Sequence, residues 1–169
     1  IQRLHTTQLV QKISLNSAFG YFGNKQAPFG DDEIASSITL TGQAVIKQSA
    51  EIVKQLLKNR FTLSDDKVKD AWKYSDTDSV YFGFECIEDR IPLLHDSAIN
   101  PDFYSLVDDI EQVLNVEIVK WAQTALNSKD CRLKFKREAI ASCGIFLMKK
   151  RYVLHVLDDE GIVGSKYKY

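Results

Sequence analysis

Hydrophobic residues recur every three or four positions in three stretches of the chain, and this spacing predicts three helices. The first covers residues 6–22, the second is capped by Asp31 or Asp32 and ends at Asn59–Arg60, and the third covers residues 103–126. The inward-facing residues are predicted to include Ile34, Ile38, Val45, Ile52 and Leu56 of the second helix, and Leu106, Val107, Ile110, Val113, Ile118, Trp121 and Ala125 of the third. Residues 26–30, 64–69 and 92–102 are predicted to be connections without regular structure.

After Cys131 the hydrophobic period changes to two, which is typical of β-strands. Leu133, Phe135 and Ala139 alternate with charged residues, so residues 133–139 are predicted to form a strand with one solvent-exposed face. Further strands are predicted at residues 144–148, 152–157 and 162–163. The element order predicts an α+β fold, in which an antiparallel sheet is covered on one side by helices, as one domain or part of one.

Residues 74–82 combine two nearby carboxylates with flanking strand-forming residues. Residues 71–74 and 80–84 are predicted to be the strands of a buried hairpin, and Asp76-Thr77-Asp78-Ser79 its turn. Asp76 and Asp78 would repel each other at such a turn unless a cation lay between them. Carboxylates are the hard oxygen ligands that Mg²⁺ prefers. The segment therefore predicts half of a catalytic metal site.

The Asp-x-Asp segment has three other possible interpretations. Asp and Ser also favour tight turns without any ligand, because their side chains bond to their own backbone. An EF-hand calcium loop is excluded because residues 80–82 are apolar where that loop needs Gly and oxygen ligands. A glycosyltransferase site that holds a nucleotide-sugar through a metal stays open at this point.

Composition describes a globular domain with an uneven charge distribution. The 169 residues are 44% hydrophobic and 27% charged with a net charge of −1, which excludes a disordered chain. Residues 85–111 carry a net charge of −7 and residues 132–151 one of +6, an asymmetry expected if one face meets phosphates. The three cysteines are widely spaced, which fits a reducing compartment, and no apolar run approaches the ~20 residues of a membrane span.

The first helix carries a second set of candidate residues. Lys12, Asn16 and Phe19 lie on one helical face, where a cation, an amide and an aromatic ring could bind phosphate, sugar and base. Taken alone, Phe19 could equally belong to a core and Lys12 to a solvated surface.

The two sets together resemble family B DNA polymerases. Residues 12–20 (KISLNSAFG) resemble the fingers-helix motif of that family, and residues 74–79 (YSDTDS) resemble its palm motif. Residues 36–43 resemble the helix that follows the fingers. Residues 137–140 (REAI) and 149–152 (KKRY) stand where T-even-like phage polymerases carry the same motifs.

The resemblance implies a role for each matching residue. Asp78 matches the palm carboxylate that binds the catalytic metals, with Asp76 as a less direct participant and Glu138 as a palm acid near the metals. Lys12 matches the lysine that contacts the incoming triphosphate, and Asn16 lies one turn along. The DNA-binding residues would be Lys149, Lys150, Arg151 and Tyr152. Two positions depart from the pattern, since Phe19 replaces a tyrosine beneath the nascent base pair and Ser75 replaces a glycine.

The resemblance also implies cofactors, partners and an organisation. Two Mg²⁺ ions are expected, with Mn²⁺ as an alternative, together with primer-template DNA, deoxynucleoside triphosphates and a sliding clamp bound through other regions, but no membrane. Residues 1–30 would end the fingers, 31–160 form an incomplete palm, and 161–169 lead to the thumb. The chain begins with Ile1 and contains no upstream palm aspartate motif, so we expect a fragment that is inactive alone. Its place would be the cytoplasm of an infected bacterium.

Two competing functions make different predictions. A glycosyltransferase should have a parallel nucleotide-binding sheet ahead of the Asp-x-Asp segment, whereas two long helices are predicted there. A non-catalytic nucleic-acid-binding module would use only the basic strand region, and would not need Asp78.

Overall fold

A computed structural model describes residues 2–28, 30–76 and 78–169 of the chain, with side chains from Thr6 onward. The helices are α1 (Gln2–Phe22), α2 (Asp32–Phe61), α3 (Asp65–Lys69) and α4 (Pro101–Ala125). The strands are β1 (Trp72–Asp76), β2 (Ser79–Phe82), β3 (Leu94–His95), β4 (Ala98–Ile99), β5 (Ala139–Met148), β6 (Arg151–Asp159) and β7 (Ile162–Lys168). Phe29 of the predicted loop and Thr77 of the predicted turn lie outside the described residues.

The α+β class is confirmed. The strands pair antiparallel in three sheets, which are the hairpin β1–β2, the short hairpin β3–β4 and the three-stranded sheet β5–β6–β7. Contacts divide the chain into two compact units, residues 1–44 and residues 45–169. The second unit contains all of the strands and the buried core.

The buried face of α4 follows the helical period closely. Asn100 caps the helix by accepting a hydrogen bond from the Asp102 amide at 2.9 Å, so α4 begins at Pro101. Its buried residues are Phe103, Leu106, Ile110, Leu114, Ile118 and Ala122. The prediction that Val113 and Ala125 face inward was wrong, because that stripe places them on the exposed side.

The apolar face predicted for α2 is buried only in its second part. Val45, Val53, Leu57 and Phe61 join the main core with residues of α4, whereas Ile34 and Ile38 remain 44% and 50% exposed. The prediction for these two isoleucines was therefore wrong. Hydrophobic spacing identified the helix correctly but not how much of its length is packed.

The segment 133–138 alternates in burial as predicted but is not a strand. Leu133 and Phe135 pack against the core, while the backbone of residue 135 bonds to a side chain of α4. The Phe135 amide donates to Asn115 Oδ1 at 2.7 Å, and Asn115 Nδ2 donates to the Phe135 carbonyl at 2.9 Å. The Arg137 amide donates to Glu111 Oε2 at 2.8 Å. Side chains of α4 thus take the place of a neighbouring strand, and regular pairing starts only at Ala139.

We expect Asn115→Ala to lower the free energy of unfolding by about 1–3 kcal/mol, because both backbone groups of Phe135 lose their partner in a part-buried position. Urea unfolding of the chain would measure this. Thr124→Ala, which removes an exposed hydroxyl from the same helix, is the matched control and should change little. Equal effects of the two substitutions would contradict the assigned role of Asn115.

The remaining differences from the predicted elements are local. Residues 65–69 of the predicted connection form α3, and β3 and β4 occupy part of residues 92–102. The hairpin β1–β2 is half-buried rather than buried. In the part of the chain that the structure describes, no helix is both long and apolar enough to cross a membrane.

Candidate active site

The predicted Asp-x-Asp hairpin is present. Asp76 ends β1 opposite Ser79, the first residue of β2. The Asp78 amide donates to the Asp76 carbonyl at 2.6 Å, and the Ser79 hydroxyl donates to the same carbonyl at 3.0 Å. These bonds close the turn and leave Asp78 exposed and Asp76 half-buried. Two carboxylates therefore stand at the tip of one short hairpin.

Four aromatic rings connect this hairpin to strands β5 and β6. We call Tyr74, Tyr81, Phe146 and Tyr152 the ring cluster. Tyr74 stacks on Phe146 with ring centroids 5.0 Å apart, and the Tyr81 hydroxyl donates to the Tyr152 hydroxyl at 3.1 Å. Burial and this hydrogen bond, together with the nearby charge of Glu138, raise the pKa of Tyr81 to about 12. The Tyr81 hydroxyl thus stays protonated at neutral pH, and the ring cluster joins two separate sheets.

The predicted DNA-binding residues surround the turn between β5 and β6. Lys149 and Lys150 form this turn, and Arg151 opens β6 opposite Met148. All three basic residues are exposed, whereas Tyr152 belongs to the ring cluster and is half-buried. The Lys150 amide donates to the Tyr74 hydroxyl at 2.8 Å. Residues 149–151, which we call the basic turn, are therefore attached to β1 of the Asp-x-Asp hairpin.

Glu138 lies just before β5 and is exposed. Its carbonyl accepts a hydrogen bond from the Glu160 amide at 2.6 Å, and its charge is close enough to Tyr81 to raise the pKa of that hydroxyl. Even so, within residues 2–28, 30–76 and 78–169 no three His, Cys, Asp or Glu residues are grouped so that they could hold a metal ion. The hairpin tip therefore offers two carboxylates as metal ligands, and Glu138 is a third acid nearby that does not form a group with them.

A buried ion pair holds Arg137, the residue before Glu138. Arg137 Nη1 donates to Asp158 Oδ1 at 2.7 Å, and the Tyr104 hydroxyl donates to Asp158 Oδ2 at 2.9 Å. Asp158 is 1% exposed. Burial alone would raise its pKa, but hydrogen bonds from the Gly161 amide, Tyr104 and Arg137, together with the charge of Arg137, hold the pKa below the usual value for Asp.

Sequence reasoning did not find this network or the contacts within the ring cluster. The sequence motifs include Arg137, Tyr74 and Tyr152, but the hydrogen-bond partners of these residues are far along the chain. The alternation of Tyr152, Leu154, Val156 and Asp158 on β6 is a signal that could have placed Asp158 on the inward face.

The predicted nucleotide-binding residues lie in the other unit. Lys12, Asn16 and Phe19 are all on α1 within residues 1–44, and all three are exposed. Phe19 is 43% exposed, so it is not part of a core. A lysine, an amide and a ring are thus available on one helix face.

Comparison with known proteins explains why one chain contains both α1 and the Asp-x-Asp hairpin. The family model described as DNA polymerase family B matches residues 2–92, more than half of the chain. The chain belongs to this family. The match includes α1 with Lys12, Asn16 and Phe19, and the hairpin with Asp76 and Asp78. Since every strand pair in the described residues is antiparallel, the parallel sheet expected of a glycosyltransferase is not found there.

Individual relatives of this family B chain extend the comparison. It is 28% identical to the DNA-directed DNA polymerase of Enterobacteria phage T4 over 92% of the chain, and 27% identical to that of Escherichia phage RB69 over 92%. It is 35% identical to the DNA polymerase delta catalytic subunit of Oryza sativa subsp. japonica over 54% of the chain. The chain spans 18% of the length of each phage protein and 8% of the rice protein.

Proposed function

We propose that this chain is the segment of a template-directed DNA polymerase that contains the end of the fingers and an incomplete palm, and that the parent enzyme acts in phage DNA replication. The observation that carries the proposal is the attachment of the Asp-x-Asp hairpin to the basic turn through the ring cluster. This arrangement attaches the strand that ends in Asp76 to a turn with three exposed cations, which supports a metal and a DNA backbone as the ligands.

The extent of the similarity supports a phage-type parent. The two phage polymerases align with 92% of the chain, whereas the rice subunit aligns with 54% of it. The polymerase would therefore work in the cytoplasm of an infected bacterium, with a sliding clamp bound through other parts of the parent.

Asp78 and Asp76 are the residues that would hold Mg²⁺ at this site. Both are carboxylates at one hairpin tip, the donor type that suits Mg²⁺ or Mn²⁺, and Glu138 adds negative charge nearby. When bound, two such ions would activate the primer 3′-hydroxyl and neutralise the charge that develops on the transferred phosphoryl group. A further carboxylate would come from the rest of the parent, because the described residues bring no three acids together.

The other candidate residues would bind and orient the substrates. Lys12 would neutralise the triphosphate of the incoming nucleotide, with Asn16 one turn away and Phe19 beneath the new base pair. Lys149, Lys150 and Arg151 would hold phosphates of the primer-template, and Tyr152 would support them. Phosphate contacts of this kind give affinity without reading the base sequence, as a replicative enzyme requires.

We assign residues 1–30 to the fingers, 31–160 to the palm and 161–169 to the connection with the thumb. This assignment rests on the order of the matched motifs along the chain.

Primer extension by the full-length parent and by the 169-residue chain tests the proposal. With primer-template, the four deoxynucleoside triphosphates and Mg²⁺, the parent should extend the primer, and the chain alone should not. Circular dichroism of the isolated chain is the control that its helices have formed. Extension by the isolated chain would contradict the proposed incompleteness of the metal site, and failure of the parent would contradict the proposed function.

A further inference from the structure

The backbone of the basic turn is attached to the Asp-x-Asp hairpin by one hydrogen bond. Lys150 donates its amide proton to the Tyr74 hydroxyl at 2.8 Å, across 76 positions of the chain. Tyr74 lies two residues before Asp76 on the same strand. The Tyr74 side chain therefore connects the strand that ends in Asp76 with the turn that carries the lysines.

The backbone conformation of Lys150 is unfavourable, so the hydrogen bond to Tyr74 is important for holding it. Its φ angle is 62°, in the left-handed region, which costs a residue with a side chain about 1–2 kcal/mol. Lys150 is also exposed, so burial does little to hold it in place. The hydrogen bond to Tyr74 joins the backbone of this residue to the ring cluster.

The Tyr74 ring is itself held from three sides. Its centroid lies 5.0 Å from that of Phe146, 5.6 Å from that of Tyr81 and 5.8 Å from that of Tyr152. Aromatic pairs at these separations favour particular orientations, so the ring has little freedom to turn. The hydroxyl at its end is consequently a fixed acceptor for the Lys150 amide.

We propose that Tyr74 is a positioning residue, which holds the basic turn at a fixed distance from Asp76 and Asp78 so that its lysines meet phosphates of the primer-template backbone. This inference rests on the proposed function, because it assigns the DNA backbone as the ligand of residues 149–151. Tyr74 acts through Lys150 and does not need to touch the DNA.

Tyr74→Phe in the full-length parent tests the inference, because it keeps the ring and removes only the hydroxyl. Loss of one net hydrogen bond predicts that the Kd for primer-template rises about three- to tenfold. The KM for nucleotide and the kcat at saturating DNA should stay within about twofold, since the carboxylates are unchanged. Hydrogen exchange of the peptide containing Lys150 should become faster.

Two further variants separate the possible causes. Tyr104→Phe removes a part-buried hydroxyl that bonds to Asp158, away from the basic turn, and should leave the Kd for primer-template unchanged. Lys149→Ala removes a cation from the turn and should weaken binding and lower the salt dependence of the Kd.

The three variants distinguish failure of the inference from failure of the proposed DNA contact. If Lys149→Ala weakens binding and Tyr74→Phe does not, the inference fails while the proposed DNA contact stands. If Lys149→Ala has no effect, the DNA contact itself fails and the inference with it. An equal rise in Kd for Tyr74→Phe and Tyr104→Phe would show general destabilisation and would also overturn the inference. A selective effect of Tyr74→Phe, accompanied by faster exchange at Lys150, would support it.

Discussion

Replacing Asp78 by asparagine in the full-length parent should lower the rate of nucleotide incorporation by several orders of magnitude. Asparagine keeps the size of the side chain but removes the charge that a metal ligand at the hairpin tip requires. Three orders of magnitude correspond to about 4 kcal/mol of lost transition-state stabilisation. Single-turnover incorporation at saturating primer-template and nucleotide would measure it, so that weaker substrate binding does not contribute.

Asp66→Asn is the matched control for this experiment. Asp66 is an exposed aspartate of α3, outside the hairpin and the ring cluster, and its replacement should leave the rate unchanged. The affinity of Asp78→Asn for primer-template should also be retained, because the basic turn is intact. If Asp78→Asn kept its activity, catalysis at the hairpin would be refuted and a non-catalytic nucleic-acid-binding function would be favoured.

Arg137→Ala should cause a large loss of stability. It removes the cation from a carboxylate that is 1% exposed and leaves Asp158 with only Tyr104 and the Gly161 amide as partners. Breaking a buried ion pair in this way costs about 3–5 kcal/mol. Urea unfolding at neutral pH would measure the difference in free energy of unfolding.

The dependence of that difference on pH checks the cause. In the native chain the pKa of Asp158 is lowered, so its contribution is present above the unfolded pKa of about 4 and is lost as the pH falls towards the folded pKa. Without Arg137, two of the interactions that lower the pKa of Asp158 are lost, so its folded pKa should lie above that in the native chain. Protonation then costs the variant less stability than it costs the native chain, and the deficit of Arg137→Ala should shrink as the pH is lowered through about 4. A deficit that is independent of pH would point to lost packing of the arginine instead.

Arg132→Ala provides the comparison for a surface pair. Arg132 and Asp130 form an ion pair in which both side chains are exposed, so solvent screens their attraction. We expect little change in stability and no change in its pH dependence. An effect as large as that of Arg137→Ala would contradict the importance given to burial.

The features that the sequence predicted well are those that a short stretch of chain determines. The turn at Asp76–Ser79 follows from two strand-forming runs around polar residues, and the basic turn at residues 149–151 lies between two similar runs. The helix predicted at residues 103–126 corresponds to α4, which the local Asn100 cap begins at Pro101, two residues earlier than predicted. In each case the residues that decide the structure are neighbours.

The features that were missed depend on partners far along the chain. Alternation at Leu133 and Phe135 correctly indicated one buried side, but it carries no information about whether the backbone bonds to a strand or to Asn115. The spacing of Ile34 and Ile38 likewise fits a helix whether or not anything covers it. The bond between Tyr74 and Lys150 also requires the three-dimensional arrangement of β1, β5 and β6.

Side-chain contacts join the hairpin β1–β2 to the sheet β5–β6–β7, and this affects how such a site can evolve. In the described part of the chain, side chains and one amide connect them, and no backbone ladder does. The register of a ladder could change only in steps of whole residues. A step of one residue would turn every side chain of the strand to the opposite face. Ring contacts can instead shift by fractions of an ångström when one aromatic residue replaces another. The distance between the acids and the lysines is thus open to gradual selection while both sheets keep their pairing.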